Sequence, residues 1–254
     1  MSLERMLAGL RTQFVARNIV SKPQVDSTNE LAKRLAARRV PEGTLVIAEE
    51  QRAGKGRRGR RWLAPPGTSL LMSYIFYPRL EPREATRLTM AASWAAAEAI
   101  EQVTGLEVRL KWPNDILVQG KKAGGVLTET GITGERLDYA VVGIGLNVNF
   151  HMADLPELAD TATSLMEALG GSVSRLELLW AFSSHLEEAY GSEGDFSGIQ
   201  SKWAARLETL GKPVQIDVGD RKINGLAEAV DENGALQLRT ADDSRIVVSI
   251  GEVS

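Results

Sequence analysis

Apolar residues in the first two hundred positions follow two different periods, and the pattern predicts a domain that mixes helices and strands. Where they recur every three or four positions, the spacing is that of an amphipathic helix. Short apolar runs bounded by turn residues predict strands between the helices. The predicted helices are residues 2–17, 27–39, 82–104, 176–190 and 196–210, and the predicted strands are residues 19–25, 44–48, 69–77, 108–111, 116–118, 123–130 and 137–148.

The pattern changes at Gly211. Four short segments of alternating apolar and polar residues follow, at residues 212–218, 222–230, 235–239 and 245–250. Turn-forming residues separate them, and the Asn233-Gly234 dipeptide among these is typical of a tight hairpin. The sequence therefore predicts two domains, residues 1–210 and residues 211–254, the second a small β-barrel.

Composition narrows the possible functions. The 254 residues carry a net charge of −3, which argues against a broad nucleic-acid-binding surface. There is no cysteine, which excludes disulfides, thiolate nucleophiles and Cys-ligated zinc. The two histidines, His151 and His185, lie far apart in the sequence, so we expect neither a histidine metal site nor a Ser-His-Asp triad. No segment resembles a signal peptide or a membrane span, and we expect a cytoplasmic protein.

One segment concentrates positive charge. Residues 49–62, EEQRAGKGRRGRRW, hold six cationic side chains and three glycines between Arg52 and Arg61. Like charges repel and glycine adds backbone freedom, so we expect a mobile loop that cannot fold on itself and that becomes ordered over a small anionic ligand. The alternative is a solvated basic loop that binds nothing. The glycine spacing matches the dinucleotide-binding fingerprint, but that fingerprint needs a helix after Gly59, and the residues that follow cannot start one. The sequence also contains no P-loop motif.

Two other segments have a predicted structural role. Ser27-Thr28-Asn29-Glu30 is predicted to form a capping box at the start of a helix. Gly143 and Gly145 lie within a predicted strand, where glycines indicate either the close approach of a ligand or another backbone, or a β-bulge.

Taken together and in this order, five segments resemble those of the biotin protein ligases. They are Ser27-Thr28-Asn29, Gly54-Lys55-Gly56-Arg57-Arg58-Gly59-Arg60, Lys111-Trp112-Pro113-Asn114-Asp115, Lys122-Ala123-Gly124-Gly125 and Gly143-Ile144-Gly145-Leu146-Asn147. The resemblance runs from about residue 19 to the end of the chain. It implies an α+β fold with a class II synthetase-like, lipoate-ligase-like mixed sheet and flanking helices, followed by an SH3-like β-barrel.

The resemblance also implies a two-step reaction with ATP and biotin as substrates and Mg²⁺ as the metal ion. Biotin's carboxylate attacks the α-phosphate of ATP, and a lysine on the biotin-acceptor domain of a carboxylase then attacks the adenylate. This reaction needs no enzyme thiol or histidine, in agreement with the composition. Larger relatives add a helix-turn-helix domain at the N-terminus, and we expect no DNA binding here because no such segment is present. An exposed sheet edge near residues 141–149 is expected to allow a homodimer.

Site residues follow from the same resemblance. The implied catalytic residues are Lys122, Arg57 and Asp115, with Lys122 on the reacting carboxylate and phosphate and Asp115 on either the acceptor amine or the metal. Those implied to bind biotin are Ser27, Thr28, Asn29, Gln51, Lys55, Gly56, Arg57, Lys122 and Gly125. Those implied to bind the nucleotide are Arg57, Arg60, Trp62, Lys111, Asn114 and Asn147.

Two departures from the family pattern matter. Position 55 is a lysine where the family usually has arginine, so a two-point contact there becomes a single-point one. Relatives commonly continue for a few residues past the position that corresponds to Ser254, and these residues often include a basic one that helps to bind the nucleotide. Two other functions compete with the leading one: a lipoate or octanoyl ligase on the same fold, and a nucleic-acid-binding protein that uses the basic loop.

Overall fold

The computed structural model describes residues 1–134, 136–191, 194–196, 198–219 and 221–253. Its larger part is a seven-stranded mixed sheet in the order β1-β2-β3-β7-β6-β5-β4, and among these described strands only β1 and β2 pair in parallel. The strands are β1 (Ile19–Val25), β2 (Leu45–Gln51), β3 (Leu70–Phe76), β4 (Val108–Lys111), β5 (Asp115–Val118), β6 (Lys121–Thr133) and β7 (Arg136–Leu146).

Helices cover both faces of this sheet. The alanine-rich α3 packs against β4, β5, β6 and β7 and also contacts α5, while α2 contacts β2, β3 and β7. Alanines at positions 91, 92, 95–97 and 99 are fully buried, which allows the close packing predicted from their density. The helices are α1 (Leu3–Ala8), α2 (Thr28–Ala36), α3 (Thr86–Thr104), α4 (Leu165–Leu169), α5 (Arg175–Tyr190) and α6 (Ile199–Ala204).

The C-terminal part is a five-stranded antiparallel sheet in the order β11-β10-β9-β8-β12. Its strands are β8 (Pro213–Val218), β9 (Arg221–Val230), β10 (Leu236–Arg239), β11 (Arg245–Val248) and β12 (Glu252–Val253). The sequence predicted four of them and missed the two-residue β12. The buried Trp112 ties this sheet to the main one, because its indole N–H donates to the Gly234 carbonyl at 2.9 Å. The domain boundary at residue 210 stays a prediction, since one apolar cluster runs through both parts.

The predicted helix over residues 2–17 was wrong in length. α1 ends at Ala8, and the ring of Trp180 occupies the space beside Gly9, where a Cβ would lie 2.2 Å away from it. The Glu187 carboxylate then accepts backbone N–H groups of Gln13, Phe14 and Val15, which holds this segment out of a helix. The apolar residues after Ala8 recur at helical spacing, but they belong to a loop whose side chains pack on the core.

The helix predicted over residues 196–210 also ends early, and Ser197 within that range lies outside the described residues. After α6 the chain runs beside β4, where the Leu110 N–H donates to the Arg206 carbonyl and the Glu208 N–H donates to the Leu110 carbonyl. These bonds give residues 206–208 a bridge to the sheet in place of a further helical turn.

The expectation of a sheet edge near residues 141–149 was wrong. β7 is in the middle of the sheet, paired with β3 along one side and β6 along the other. An open edge belongs instead to β6: it pairs with β5 only as far as Gly125, and within the described residues its stretch from Leu127 to Thr133 has no strand partner on that side. The sequence could not show where this open edge lies. It arises because β6 is longer than β5 and extends past it, and the pairing of the two strands is not visible in the local sequence.

Within the described ranges, no helix combines the length and the apolar character needed to cross a bilayer. The cytoplasmic location expected from the sequence stays a prediction.

Candidate active site

A cavity of about 230 Å³ opens on the face of the sheet that carries α2. Thirteen of the fifteen residues predicted for the site line it, and Lys111 and Asp115 are the two that do not. Segments more than a hundred residues apart in the sequence therefore meet at one place. The thirteen are Ser27, Thr28, Asn29, Gln51, Lys55, Gly56, Arg57, Arg60, Trp62, Asn114, Lys122, Gly125 and Asn147.

One end of the cavity is lined by uncharged hydrogen-bonding groups. The Gln51 side-chain oxygen accepts from the Thr28 backbone N–H at 2.7 Å and from the Thr28 hydroxyl at 3.0 Å. The Ser73 hydroxyl, which the sequence analysis missed, lies 2.8 Å from the Thr28 hydroxyl and 2.6 Å from the Asn29 side-chain oxygen. A serine within the apolar run of β3 was the available signal. These bonds fix the side chains before any ligand arrives.

The predicted capping box at the start of α2 is not formed. Ser27 is the N-cap residue, but its side chain makes no capping hydrogen bond. Gln51 caps the helix from β2 instead, through the Thr28 N–H. The Glu30 carboxylate turns away to Lys33 and Lys55. Ser27 therefore keeps its hydroxyl available at the cavity wall.

The two glycines of β7 are required by neighbouring side chains. A Cβ at Gly143 would lie 2.1 Å from the Asn29 side chain, and one at Gly145 would lie 2.4 Å from the Trp62 ring. The pairing of β7 with β3 and β6 is regular at both positions, so neither glycine marks a bulge. Both glycines thus let the cavity walls close onto the sheet.

Lys122 and Asp115 form an ion pair beside the cavity. The Lys122 Nζ atom lies 2.6 Å from Asp115 Oδ1 and 5.9 Å from the centre of the Trp62 ring. Asp115 does not line the cavity itself, and this contact places it beside the site. A Cβ at Gly125 would meet Lys122 at 3.4 Å and Asp115 at 3.6 Å, an ordinary contact distance, so the missing side chain leaves room for a ligand. Lys111 lies across the β4–β5 turn, where its backbone pairs with Asp115.

The basic loop is folded, against the expectation that its charges would keep it open. Lys55 and Arg61 form a bridge within it, and the Gly56 N–H donates to the Arg60 carbonyl at 2.7 Å. Partners outside the loop make this possible, and most of its cations have one. They are Glu30 for Lys55, Asn114 for Arg57, the Asp217 carbonyl for Arg58 and Glu252 for Arg60.

These contacts and the burial of the loop shift the pKa values of two groups, Arg57 and Glu30. Burial lowers the pKa of the Arg57 guanidinium, and the carboxylates of Glu252 and Asp115 oppose that shift. Hydrogen bonds from Lys33 and from Lys55 lower the pKa of the Glu30 carboxyl. An arginine stays protonated under either influence, so the loop keeps its positive charge at neutral pH.

A chain of ion pairs that the sequence analysis missed connects the loop to the sheet. Glu129 on β6 accepts from the Asn29 amide and pairs with Lys33, and Lys33 pairs with Glu30, which contacts Lys55. Opposite charges one helical turn apart on α2 were the only signal for it. The chain sets the position of Lys55 at the cavity mouth.

Two buried polar atoms in the cavity wall have no partner among the described residues: the Asn147 side-chain oxygen and the Trp62 indole nitrogen. Asn147 is otherwise fixed, since its amide donates to the Thr163 carbonyl at 3.0 Å. An unpaired buried donor and acceptor cost free energy unless a ligand completes them. Both atoms mark this wall as a binding surface.

Comparison with known proteins gives consistent matches. Residues 21–147 match the Biotin/lipoate A/B protein ligase family, and residues 209–254 match the Biotin protein ligase C terminal domain. The Bifunctional ligase/repressor BirA of Bacillus subtilis is 34% identical over 95% of this chain and 75% of its own length. The Biotin--[acetyl-CoA-carboxylase] ligase of Paracoccus denitrificans is 32% identical over 91% of this chain and 97% of its own. A structure of the Aquifex aeolicus biotin protein ligase with biotin and ATP is similar at a TM-score of 0.75, with 32% identity over 94% of this chain and 98% of that one.

The contact between Gly145 and Trp62 gives a first test. We expect Gly145→Ala to displace the indole and to lower the free energy of unfolding by roughly 1–3 kcal/mol, because the added methyl group has no space. Urea unfolding followed by tryptophan fluorescence measures both effects. Gly171→Ala is the matched control, since a Cβ there meets nothing within 4 Å. Equal unfolding free energies for the two variants would contradict the close contact.

Proposed function

This chain belongs to the biotin protein ligase family, and we propose that the active-site cavity described above carries out both steps of biotin transfer with the residues assigned below. A biotin–[acetyl-CoA-carboxylase] ligase activates biotin with ATP as biotinyl-5′-AMP, releases pyrophosphate, and transfers biotin to a lysine of a biotin carboxyl carrier protein. The observation that carries the assignment is a single cavity with uncharged hydrogen-bonding groups at one end and five cationic side chains around the rest.

The uncharged end suits the ureido ring of biotin. That ring offers neutral N–H donors and a carbonyl acceptor, which match hydroxyl and amide side chains. Ser27, Thr28 and Gln51 supply those groups, and Asn29 holds Ser73 and the sheet behind them. Because these side chains already bond to one another, binding costs little ordering entropy.

Lys122 carries the reacting end of the substrates. It is a compact point charge, so it follows negative charge as that charge moves from the biotin carboxylate to the α-phosphate. Before binding, Asp115 neutralises it. A substrate oxygen then replaces the Asp115 carboxylate, which leaves Asp115 free for a second role. Transfer of this kind depends mainly on positioning and on charge stabilisation, so no enzyme nucleophile is required.

The released Asp115 carboxylate has two possible partners, Mg²⁺ and the acceptor amine. Within the described residues no cluster of three or more His, Cys, Asp or Glu side chains forms a metal cage. Mg²⁺ bound to a nucleotide needs only one or two carboxylates, because the phosphates supply further oxygens. The lone Asp115 fits that requirement and would hold the ion, which supplies charge neutralisation at the phosphates.

The loop and the opposite wall hold the nucleotide. Arg57 and Arg60 provide cations for its phosphates, and Lys55 and Gly56 close over biotin. Trp62 and Asn147 offer an indole N–H and an amide oxygen that lack partners among the described residues. Asn114 holds Arg57 in place at 3.2 Å. Lys111 does not line the cavity, and we assign it the support of the β4–β5 turn.

Lipoate or octanoate transfer is the competing activity on this fold, and the family match over residues 21–147 covers both kinds of enzyme. The polar set around Thr28 and Gln51 favours a ureido ring, because a linear acyl chain offers nothing for those groups to bond. The Paracoccus denitrificans and Aquifex aeolicus relatives carry biotin in their names. Comparing biotin and lipoate as substrates for ATP–pyrophosphate exchange separates the two activities.

The protein partner in this proposal is the biotin-acceptor domain of a carboxylase. A homodimer, also expected from the sequence, stays a prediction, and the β7 edge expected for it lies in the middle of the sheet. The absence of DNA binding stays a prediction.

Replacing Lys122 tests the first step. We expect Lys122→Ala to lower biotin-dependent ATP–pyrophosphate exchange by about 100-fold or more, because a charge at the reacting oxygens is lost. Stability should change little, since ion pairs near the surface contribute about 0–1 kcal/mol. Lys121→Ala is the control, as this neighbouring side chain points outward to the Ala159 carbonyl. Undiminished exchange in Lys122→Ala would remove this residue from the mechanism.

Replacing Arg57 tests retention of the adenylate. We expect Arg57→Gly to release biotinyl-5′-AMP, which would then biotinylate lysines of bystander proteins such as serum albumin. Arg58→Gly is the control, because that side chain turns to the Asp217 carbonyl and its positive φ of 55° suits glycine. Streptavidin blotting measures the labelling. Unlabelled bystanders with Arg57→Gly would mean that this residue does not hold the intermediate.

A further inference from the structure

A second cavity of about 220 Å³ lies on the opposite face of the sheet, between α3, β6 and the C-terminal sheet. Its wall includes Thr89 of α3, Thr128 of β6 and Ser249 and Ile250 of the C-terminal part. The reaction described above uses none of these four residues. The cavity therefore needs its own explanation.

The two cavities meet at one place. Arg57, Asn114, Val126 and Leu127 line both of them. Asn114 is fixed to β6, since its amide donates to the Val126 carbonyl at 2.7 Å and its backbone carbonyl accepts the Val126 N–H at 3.0 Å. Arg57 is held to Asn114 by a hydrogen bond of 3.2 Å. The Arg57 side chain therefore lies at the junction of the two spaces.

The charges in the two cavities differ. Five cationic side chains line the active-site cavity, whereas Arg57 is the one ionisable side chain among the described residues that line the second. The rest of its wall is mostly threonine, serine and apolar side chains. A polyphosphate would find little to bind there. An aliphatic chain with a neutral polar end fits it better.

A buried donor in this wall also lacks a partner. Trp203 is 1% exposed, and its indole N–H has no hydrogen bond within the described part of the chain. A carbonyl group of an incoming polypeptide would complete it. The threonines of β6 that line the cavity also lie on the stretch of strand whose outer edge is unpaired among the described strands, so a polypeptide can approach there.

We propose that the second cavity receives the acceptor lysine and presents its amine to the adenylate from the side opposite the nucleotide. This proposal rests on the biotin-ligase function. The attacking nitrogen must be a neutral amine. A cavity without a carboxylate, next to a guanidinium, disfavours the ammonium form and so favours loss of its proton to water.

The transfer step then balances. The amine nitrogen forms a bond to the biotinyl carbonyl carbon, and the bond from that carbon to the phosphate oxygen breaks. The electron pair of the broken bond leaves with AMP, whose phosphate takes the proton released by the nitrogen. The products are an amide and AMP. Arg57, at the junction, stabilises the leaving phosphate.

Blocking the second cavity from its rim tests the proposal. Ser249→Trp places a large ring at an exposed position of the wall, and Thr128→Phe fills the interior. Val247→Trp is the matched control, since Val247 is exposed, lies two positions away and lines neither cavity. The two wall variants differ in burial, so the exposed one remains informative if the other does not fold.

Three measurements are made on each variant with the full chain: biotin-dependent ATP–pyrophosphate exchange, trapping of the adenylate by hydroxylamine, and single-turnover transfer to a saturating biotin-acceptor domain. We expect both wall variants to slow transfer by about tenfold or more, because the lysine is misplaced. Exchange and trapping should match those of Val247→Trp, because both use only the active-site cavity.

Two results would overturn the proposal: undiminished transfer in Ser249→Trp, or exchange and trapping that fall together with transfer. The second result would assign the cavity to the nucleotide or pyrophosphate. A failure of the unmodified chain to catalyse biotin-dependent exchange is a different outcome, since it would reject the biotin-ligase function itself.

Discussion

The need to neutralise a dense group of positive charges governs the arrangement of this site. Six cations lie between Arg52 and Arg61, and the fold brings them partners from α2, from the turn after β4 and from the C-terminal sheet. Ion pairs at exposed positions contribute only about 0–1 kcal/mol each. A substrate phosphate can therefore replace them at little cost in free energy.

The same constraint connects the two parts of the chain. Arg60 pairs with Glu252 at 2.5 Å, and Arg58 donates to the Asp217 carbonyl at 2.8 Å, so the loop rests on the C-terminal sheet. On the other side, Lys55 is joined through Glu30 and Lys33 to Glu129 of β6. The loop thus lies between two fixed surfaces. At the uncharged end of the cavity no ion pair has to be replaced by the substrate, because Thr28 and Gln51 are hydrogen-bonded to each other.

The sequence predicted the fold class, most strand positions and thirteen of the residues that line the cavity, because five segments with distinctive residues follow one another in the order seen in a known family. It could not predict contacts set by tertiary structure. The apolar spacing of residues 2–17 imitated a helix, although Glu187, from α5, binds the backbone there. The capping box failed because the Glu30 carboxylate pairs with Lys33 and Lys55 and not with the Ser27 backbone. The middle position of β7 depends on strand order, which local sequence does not encode.

We expect the basic loop to exchange its protein partners for the biotinyl adenylate and to close over it. Limited trypsin digestion tests this most directly, since trypsin cuts after the arginines and lysines between residues 53 and 61. We expect cutting there in the free protein and protection in the presence of biotin and ATP. Cutting after the exposed Arg38, just past the end of α2, serves as the internal reference. Equal cutting within residues 53–61 in both conditions would contradict it.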